Sequence, residues 1–255
     1  KYTTYLFDFD YTLADSSRGI VICFRNVLER HGHTGISDEA IKRTIGKTLE
    51  DSFSLLSGIT APETLAEYKK EYVKEADTYM TVNTFFFPET VTVLKTLKSQ
   101  GAQIGIISTK FRFRIREMVD QHFPKDFFDI IIGGEDVKQA KPDPQGIKKS
   151  TTPTASPEKE TLYIGDSTVD AETAQAAKVD FVGVLNGMTT REELIVYPHR
   201  QILDNLSLLP LIHKFTPYEP DKHFPEKFFY SSYFPQKIVA FYKLFHQKQI
   251  EENMK

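Results

Sequence analysis

Hydrophobic positions along this chain occur in two patterns: short continuous runs, and apolar residues spaced as on one face of a helix. The continuous runs are rich in Ile, Val, Leu, Phe and Tyr, which predicts strands buried on both faces of a parallel sheet. Helical spacing fills the gaps between the later runs, and this alternation is typical of a doubly wound sheet with right-handed crossovers. The predicted fold class is therefore α/β with a Rossmann-like core. The five runs are Thr4–Phe9, Gln103–Ser108, Asp129–Gly133, Thr161–Asp166 and Phe181–Leu185, and the three helices are Glu89–Ser99, Phe111–His122 and Val169–Lys178.

One connection in this alternation is far longer than a crossover requires. The stretch from about Asp15 to Asn83 adds nearly 70 residues between the first two runs, whereas most connections in compact domains are short. Helical spacing continues through it without a convincing strand, so we expect an inserted all-helical cap over 15–83. Because the insertion begins just after the first strand, the cap is expected to lie over the strand ends, where it can exclude water and contact a substrate. The expected cap helices are Gly19–His31, Asp38–Thr44, Leu49–Leu56 and Pro62–Thr81, with Ser37 or Asp38 and Thr60 as N-caps.

Two further stretches follow neither pattern of the core. Lys148–Lys159 is rich in Thr and Pro, and we expect a polar surface loop there. Past residue 209 the chain is dense in aromatic residues, and Gln236–Asn253 has the spacing of an amphipathic helix. An aromatic stripe is unfavourable in water, so this extension either packs on the core or forms an interface, such as that of a homo-oligomer. The predicted domains are a catalytic core of 1–14 and 84–209, the cap of 15–83 and a C-terminal extension of 210–255.

The composition restricts the class of protein. Of the 255 residues, 40% are hydrophobic and 26% are charged, as in globular proteins. The formal net charge of −3 gives no electrostatic basis for binding nucleic acid or an anionic membrane. Cys23 is the single cysteine, which excludes an internal disulfide and a cysteine zinc cluster, and its apolar helical surroundings predict burial. Since no run is long enough to cross a bilayer and no signal-peptide pattern is present, we expect a cytoplasmic protein without a membrane partner.

The first predicted strand ends in two carboxylates. Asp8 and Asp10 lie two positions apart in DFDYTLADS, directly after an apolar run. Open α/β sheets bind ligands at the carboxyl ends of their strands. Two acids at this spacing can divide the work of nucleophile and general acid/base, and a shared Mg²⁺ can neutralise them. Acidic strand ends are also common as turns or helix caps, so the pair alone does not decide between the two interpretations.

Two later segments carry groups that suit a phosphate. Ser108, Thr109 and Lys110 follow the second strand, where a hydroxyl and adjacent backbone N–H groups can hold phosphate oxygens. Lys141 begins the sequence KPDP, whose prolines restrain the loop that would present its ammonium. Each has an ordinary alternative, because a serine here is often a turn or cap residue and a lone lysine is usually a solvated surface charge.

A fourth segment brings two more acids to a strand end. Asp166 closes an apolar run in YIGDSTVDAETAQAA, and Asp170 follows four residues later, on the same side of the next helix. Asp170 alone is equally explained as a partner for the helix dipole. Acidic ends of neighbouring strands would repel each other, and a hard cation such as Mg²⁺ would relieve that repulsion.

These four segments, in this order, resemble the four motifs of the haloacid dehalogenase-like hydrolase superfamily. They are DFDYTLADS, IISTK, KPDP and IGDSTVDAETAQAA, and the likeness covers about residues 2–195. It is strongest to the phosphoglycolate phosphatase-like members that carry a helical cap. The resemblance implies a phosphatase that hydrolyses a small phosphorylated metabolite with Mg²⁺ as cofactor, and a sheet in which the first strand lies between those that end at Ser108 and Asp166.

The resemblance also implies catalytic roles. Asp8 is expected to attack phosphorus and form an aspartyl-phosphate, while Asp10 protonates the leaving alcohol and then activates the hydrolytic water. Ser108 and Lys141 would hold the phosphoryl oxygens. Thr12 would tie down the loop that carries Asp10, and it is counted with the substrate- or phosphate-binding candidates. The remaining candidates of that kind are Thr109, Lys110 and the cap residue Lys47.

The implied metal site uses the same strand ends. Mg²⁺ would be held by the carboxylates of Asp8 and Asp166 and by the main-chain carbonyl of Asp10, with Asp170 as a further ligand or adjacent to one. Four basic cap residues could meet an anionic leaving group, although a solvated helix face explains them equally: Arg18, Lys42, Arg43 and Lys47. The sequence departs from the family pattern at Tyr11 and Lys178, where many relatives have glycine, and at Asn186, where an aromatic residue is frequent.

Several other activities remain open at this point. A sugar-phosphate mutase would share the motifs and return the phosphoryl group to its substrate, which depends on a cap that excludes water. A phosphonate hydrolase would need a cap lysine that forms a Schiff base, and nothing around Lys47 indicates that chemistry. The dehalogenase branch lacks the second acid, so Asp10 favours phosphoryl transfer. A non-catalytic binding protein could keep the fold, but acids at all the motif positions favour an enzyme.

Overall fold

A six-stranded parallel sheet forms the centre of the protein. The structure, a computed structural model, describes residues 2–154 and 160–214. The strands follow the order β5-β4-β1-β6-β7-β8, and a separate antiparallel pair joins β2 to β3. All five predicted runs are strands of the sheet, so the predicted α/β fold is confirmed. In chain order the strands are β1 Thr4–Phe7, β2 Ala14–Asp15, β3 Phe85–Phe86, β4 Gln103–Ile107, β5 Ile130–Ile132, β6 Thr161–Gly165, β7 Asp180–Val184 and β8 Gln201–Leu203.

Helices cover both faces of this sheet. Alternate residues of β1 point to opposite faces: Tyr5 and Phe7 belong to one buried hydrophobic cluster and Leu6 to another. Because each strand is apolar on both faces, the core has two hydrophobic layers. The helices of the whole described chain are α1 Ser17–Arg30, α2 Asp38–Lys42, α3 Leu49–Ser57, α4 Pro62–Tyr79, α5 Thr90–Ser99, α6 Arg112–His122, α7 Gln145–Thr154, α8 Thr168–Ala177 and α9 Arg191–Leu194.

The inserted cap has a hydrophobic core of its own. Helices α1 to α4 lie between β2 and β3 in the chain, and their buried side chains form a third cluster. At its centre the ring of Phe24 lies 4.6 Å from that of Phe53 and 4.8 Å from that of Tyr72. Cys23 is fully buried in the same cluster, as predicted. Burial of these rings stabilises the insertion.

Short elements account for the errors of the sequence interpretation. Strand β8 was not expected, and Asp15 belongs to β2 although no strand was predicted from that residue on. Two or three residues are too few to show a period of two. Ser37 caps α2 as expected, since its side chain accepts a hydrogen bond from the backbone of Ala40. Thr60 is not a cap: Ala61 precedes α4, whose first residue is Pro62.

The prediction of a loop at Lys148–Lys159 is wrong for residues 148–154, because α7 continues to Thr154. The side chains of Ile147 and Ser150 are buried, and the apolar contact of Ile147 with the core stabilises a helix despite the Thr and Pro residues. Residues 155–159, the extension beyond Lys214 and the helix expected at Gln236–Asn253 lie outside the described residues. Within the described part of the chain, no helix combines the length and the apolar character that crossing a membrane requires.

Candidate active site

Three neighbouring strands bring the polar motif residues to one edge of the sheet. Phe7 of β1 is in register with Ile106 of β4 and with Ile164 of β6. Asp8 follows β1 directly, while Ser108 and Asp166 follow the two flanking strands. Parallel strands present their carboxyl ends on the same side, so all three motif residues meet there. The expected position of β1 between the other two strands is confirmed.

Lys141 lies at the centre of this edge. Its Nζ is 3.1 Å from Oδ2 of Asp8 and 2.6 Å from Oδ1 of Asp170. The exposed fractions of these side chains are 4% for Lys141, 2% for Asp8 and 0% for Asp170. Charges removed from water in this way must be paired, because an unpaired buried charge is very costly. Lys141 is therefore not a solvated surface lysine, and it connects the first and fourth motifs.

Asp170 fulfils two functions at once. Its Oδ2 accepts hydrogen bonds from the backbone and hydroxyl of Ser167, which caps α8. Its Oδ1 accepts a hydrogen bond from Lys141 at 2.6 Å and lies 3.0 Å from the hydroxyl of Tyr163. Asp170 thus stabilises the start of the helix, as the simpler interpretation proposed, and it also fixes the lysine. Both of its oxygens are occupied.

A concentration of negative charge surrounds these contacts. Carboxylate oxygens of Asp8, Asp166 and Asp170 lie within 4.8 Å of one another. Burial, together with the neighbouring carboxylates, raises the pKa of Asp8 to about 6, although Lys141 opposes the shift. Burial and the charges of Asp170 and Asp8 also raise the pKa of Asp166 well above its ordinary range. The three carboxylates carry more negative charge than the single ammonium of Lys141 can balance. Such a set of oxygen donors suits a hard divalent cation.

Two contacts around Asp166 fix its orientation. Thr12 donates a hydrogen bond from its hydroxyl to Oδ1 of Asp166, at 3.1 Å. The first motif is thus tied to the fourth through Thr12, in addition to the loop role that the resemblance implied. Gly187 passes so close that a Cβ atom there would lie 2.2 Å from Oδ2 of Asp166. Sequence reasoning missed Gly187, because the glycine follows a different strand and only the folded chain brings it near the carboxylate.

Asp10 pairs with a different lysine from the buried carboxylates. Its two carboxylate oxygens lie 3.1 and 3.3 Å from Nζ of Lys110. That ammonium also lies 3.5 Å from the sulfur of Met80, at the end of the cap. Lys110, expected to bind phosphate, is placed as the partner of the second acid. Its phosphate-binding role and the metal-ligand role of the Asp10 carbonyl remain predictions.

The residue directly after Asp10 has an unusual backbone conformation. Tyr11 has a φ of 59° and Lys178, at the end of α8, a φ of 60°; these are the two non-glycine residues with positive φ in the described chain. This left-handed region favours glycine. Both departures from the family's glycines therefore occupy positions at which glycine would be less strained.

A cavity of about 400 Å³ lies between the cap and the core. On the core side it is lined by Asp10, Thr109 and Lys110, and on the cap side by residues that include Lys47. The Thr109 hydroxyl donates a hydrogen bond to the carbonyl of Gly46 at 3.2 Å, which connects the second motif to the cap loop. Cavities of this size bind small molecules.

Not every predicted residue lines this cavity. Ser108 and Lys141 line a smaller adjoining recess, which Thr109 also borders. The side chain of Ser108 opposes the rise in the pKa of the Asp8 carboxyl that burial causes, so its hydroxyl lies beside the first acid. Of the four basic cap residues, Lys47 alone lines the main cavity, and Arg43 instead approaches Glu193 at 3.8 Å.

Sequence comparison agrees with this geometry. The haloacid dehalogenase-like hydrolase family matches residues 5–184, more than half of the chain. The chain belongs to that family. Among curated haloacid dehalogenase-like relatives, the pyrophosphatase PpaX of Bacillus mycoides is 30% identical over 220 residues, covering 83% of this chain and 97% of that protein. The pyrophosphatase PpaX of Oceanobacillus iheyensis is 28% identical over 181 residues, which cover 71% of this chain and 82% of that protein.

Solved structures of the family share the fold. A haloacid dehalogenase-like hydrolase from Bacteroides fragilis is 61% identical to this chain, with a TM-score of 0.81. The match covers 82% of this chain and 100% of that structure. A predicted phosphoglycolate phosphatase from Haemophilus somnus has a TM-score of 0.75 at 18% identity, over 83% of this chain and 98% of that one. At that identity the likeness concerns the fold alone. The predicted family and the predicted class of enzyme, a haloacid dehalogenase-like phosphatase, are confirmed.

Proposed function

We propose that this protein is a magnesium-dependent phosphatase that hydrolyses a small phosphate monoester through an aspartyl-phosphate on Asp8. The main support is the buried cluster of Asp8, Asp166 and Asp170, in which the ammonium of Lys141 contacts Asp8 and Asp170. This arrangement supports the assignment of a nucleophile, a phosphate-binding cation and candidate metal ligands that act on one phosphoryl group. The family to which the chain belongs supports the same class of reaction.

The donor set fits Mg²⁺. Asp8 and Asp166 are the proposed carboxylate ligands, since both oxygens of Asp170 already bind other groups. Bound Mg²⁺ supplies positive charge that neutralises the carboxylates and the phosphoryl oxygens. Asp170 then contributes indirectly, by holding Lys141 in place. The carbonyl of Asp10 completes the proposed set of protein ligands.

The chain's own groups account for the first displacement. A carboxylate oxygen of Asp8 attacks phosphorus, and the bond from phosphorus to the leaving oxygen breaks. The ammonium of Lys141, already beside Asp8, balances charge on the phosphoryl oxygens during this transfer. The hydroxyl of Ser108 lies next to the same carboxylate and can donate a hydrogen bond to one of those oxygens.

Proton transfer is assigned to Asp10. Asp10 lines the cavity in which the leaving group would lie, and Lys110, which lines the same cavity, binds its carboxylate. It donates a proton to the leaving oxygen in the first step and takes a proton from water in the second. The water then displaces Asp8 from phosphorus and releases inorganic phosphate.

The cavity indicates a small anionic substrate. Lys47, Lys110 and Lys138 line it together with the rings of Tyr72 and Phe111. Cations around a chamber of about 400 Å³ favour a compact molecule with negative charge. The Bacillus mycoides relative is named a pyrophosphatase, so pyrophosphate belongs in the first substrate panel beside metabolite phosphate esters.

The test is turnover of p-nitrophenyl phosphate, pyrophosphate and a panel of metabolite phosphates with Mg²⁺ or with a chelator. We expect activity only with metal. Asp8→Asn is expected to lower kcat by more than about a thousandfold, because an amide cannot attack phosphorus. The exposed Asp126→Asn is the matched control and should keep the parent's rate. Undiminished turnover by Asp8→Asn, or none by the parent on the whole panel, would refute the proposal.

A mutase is distinguished by its product. Phosphorus NMR of a reaction with a sugar phosphate reports inorganic phosphate if water accepts the phosphoryl group. An isomeric sugar phosphate would appear instead if the substrate takes it back. We expect inorganic phosphate, because the proposed role of Asp10 is to activate water.

A further inference from the structure

The ammonium of Lys141 has three N–H donors, and each has an acceptor. Oδ1 of Asp170 lies at 2.6 Å, Oδ2 of Asp8 at 3.1 Å and the hydroxyl oxygen of Tyr163 at 3.2 Å. A lysine ammonium has no further donors, so these three acceptors fix its rotation about the last bond of the side chain. Two of the acceptors are carboxylates of the motifs. The third is the hydroxyl of Tyr163, which was not among the predicted site residues.

Tyr163 is buried in the central sheet. It lies on β6 in register with Leu6 of β1, and its side chain is fully inaccessible to solvent. Its hydroxyl lies 3.0 Å from the carbonyl oxygen of Ile107 and 3.0 Å from Oδ1 of Asp170. Because it accepts one hydrogen bond from Lys141, its single proton is left for one of these two oxygens.

The hydroxyl therefore touches three motifs at once. Ile107 is the residue before Ser108, Lys141 is the lysine of the third motif, and Asp170 belongs to the fourth. A phenylalanine would fill the same apolar space, and a buried hydroxyl adds a cost unless it is hydrogen-bonded. The hydroxyl is the part of the side chain that packing does not require.

We propose that Tyr163 is a positioning residue for phosphoryl transfer, acting through Lys141. Asp170 fixes one N–H of the ammonium and Tyr163 fixes a second, so the third points at Asp8, where the phosphoryl group is transferred. Without the hydroxyl the ammonium can rotate about its contact with Asp170, and its charge is less well aligned with the transferring oxygens. This inference rests on the proposed phosphatase function.

The test is Tyr163→Phe, which keeps the ring and removes only the hydroxyl. We expect kcat to fall about tenfold, with KM changed less than about threefold, because the misplaced charge acts mainly on the transition state. Binding of orthovanadate, which adopts the geometry of phosphoryl transfer, should weaken by a similar factor when measured by calorimetry. Circular dichroism and thermal melting establish that the variant is folded at the assay temperature.

Tyr5→Phe provides the matched control. Tyr5 is also a buried tyrosine of the sheet, but it lies on β1 and faces the other hydrophobic layer. Its kcat and vanadate affinity should equal those of the parent. An equal loss in Tyr5→Phe would show that any buried tyrosine hydroxyl supports activity through folding alone, and it would overturn the inference.

A second measurement uses a Lys141→Met background. Without the ammonium, the hydroxyl has nothing to orient, so adding Tyr163→Phe should change the residual kcat less than about twofold. A full tenfold loss in this background would mean that Tyr163 does not act through Lys141. If the parent hydrolyses no phosphate compound, the proposed function fails; if the parent is active and Tyr163→Phe matches it, this inference alone fails.

Discussion

Two lysine–carboxylate pairs, one in the core and one in the cap, differ sharply in their surroundings. In the core, Lys141 and Asp8 are 3.1 Å apart and their side chains are 4% and 2% exposed. In the cap, Lys69 and Glu50 are 2.7 Å apart, but their side chains are 37% and 38% exposed. The Lys69–Glu50 pair is shorter but contributes less to stability, because water and salt screen its charges and water solvates each charge when it is unpaired. Burial, more than distance, decides which ion pair the fold depends on.

The difference also separates two tasks. The core pair is surrounded by further groups that restrict it, so its geometry is fixed before a substrate arrives. The cap pair lines a cavity wall whose charges remain hydrated. We therefore expect changes in the core to affect turnover and stability together, and changes in the cap to affect substrate affinity with little effect on folding.

The largest effect is expected from Lys141→Met. It leaves the carboxylates of Asp8 and Asp170 buried without their cation, which should lower the free energy of unfolding by roughly 3–5 kcal/mol. Turnover should fall at least about a hundredfold, since charge on the phosphoryl group is no longer balanced. Urea denaturation and steady-state kinetics measure the two effects.

The matched cap variant is Lys69→Met. Loss of an exposed pair should change the free energy of unfolding by less than about 1 kcal/mol. If the two methionine variants lost equal stability, burial would not be the property that distinguishes the core pair from the cap pair.

Asp10→Asn tests the second acid, which lines the cavity between the core and the cap. An amide can neither protonate a leaving alcohol nor activate water, and we expect steady-state turnover to fall about a hundredfold or more. With p-nitrophenyl phosphate, whose leaving group needs little protonation, a rapid burst of p-nitrophenol should precede slow turnover, because phosphoenzyme still forms but breaks down slowly. Stopped-flow absorbance resolves the two phases; equal loss of both would contradict the role given to Asp10.

A smaller effect is expected from Lys47→Met in the cap. Lys47 lines the cavity and is exposed to solvent, so it should contribute about 1 kcal/mol or less to binding of an anionic leaving group. KM for pyrophosphate should rise roughly threefold to fivefold with kcat and melting temperature unchanged. Lys42→Met, which lies outside the cavity lining, is the control. A fall in kcat without a change in KM would place Lys47 in the chemical step.

The strand ends and the cap were predictable because the signals are local. A run such as that ending at Asp8 is apolar on both faces, and this identifies a central strand without knowledge of its neighbours. The long helical insertion was predictable from its length, which excludes an ordinary crossover between strands. Signals failed where elements are short, as in β8, or where composition misled, as in the last turns of α7.

The partners of the site residues were much less predictable. Lys110 was a candidate phosphate ligand, yet its ammonium binds the carboxylate of Asp10, one hundred positions earlier in the chain. Asp170 had two competing interpretations and fulfils both. Nothing in an apolar strand marks Tyr163 as different from the residues beside it.

The order and type of residues along the chain were sufficient to predict a doubly wound sheet, a helical insertion after the first strand and the set of acids that meet at one edge. Hydrophobic periodicity and the geometry of parallel strands are sufficient for that, because every strand presents its last residue on the same side. The folded chain was needed to show which carboxylate each ammonium binds and which tyrosine hydroxyl contacts them. Those contacts depend on side-chain direction and burial between residues far apart in the chain, and local spacing does not encode either.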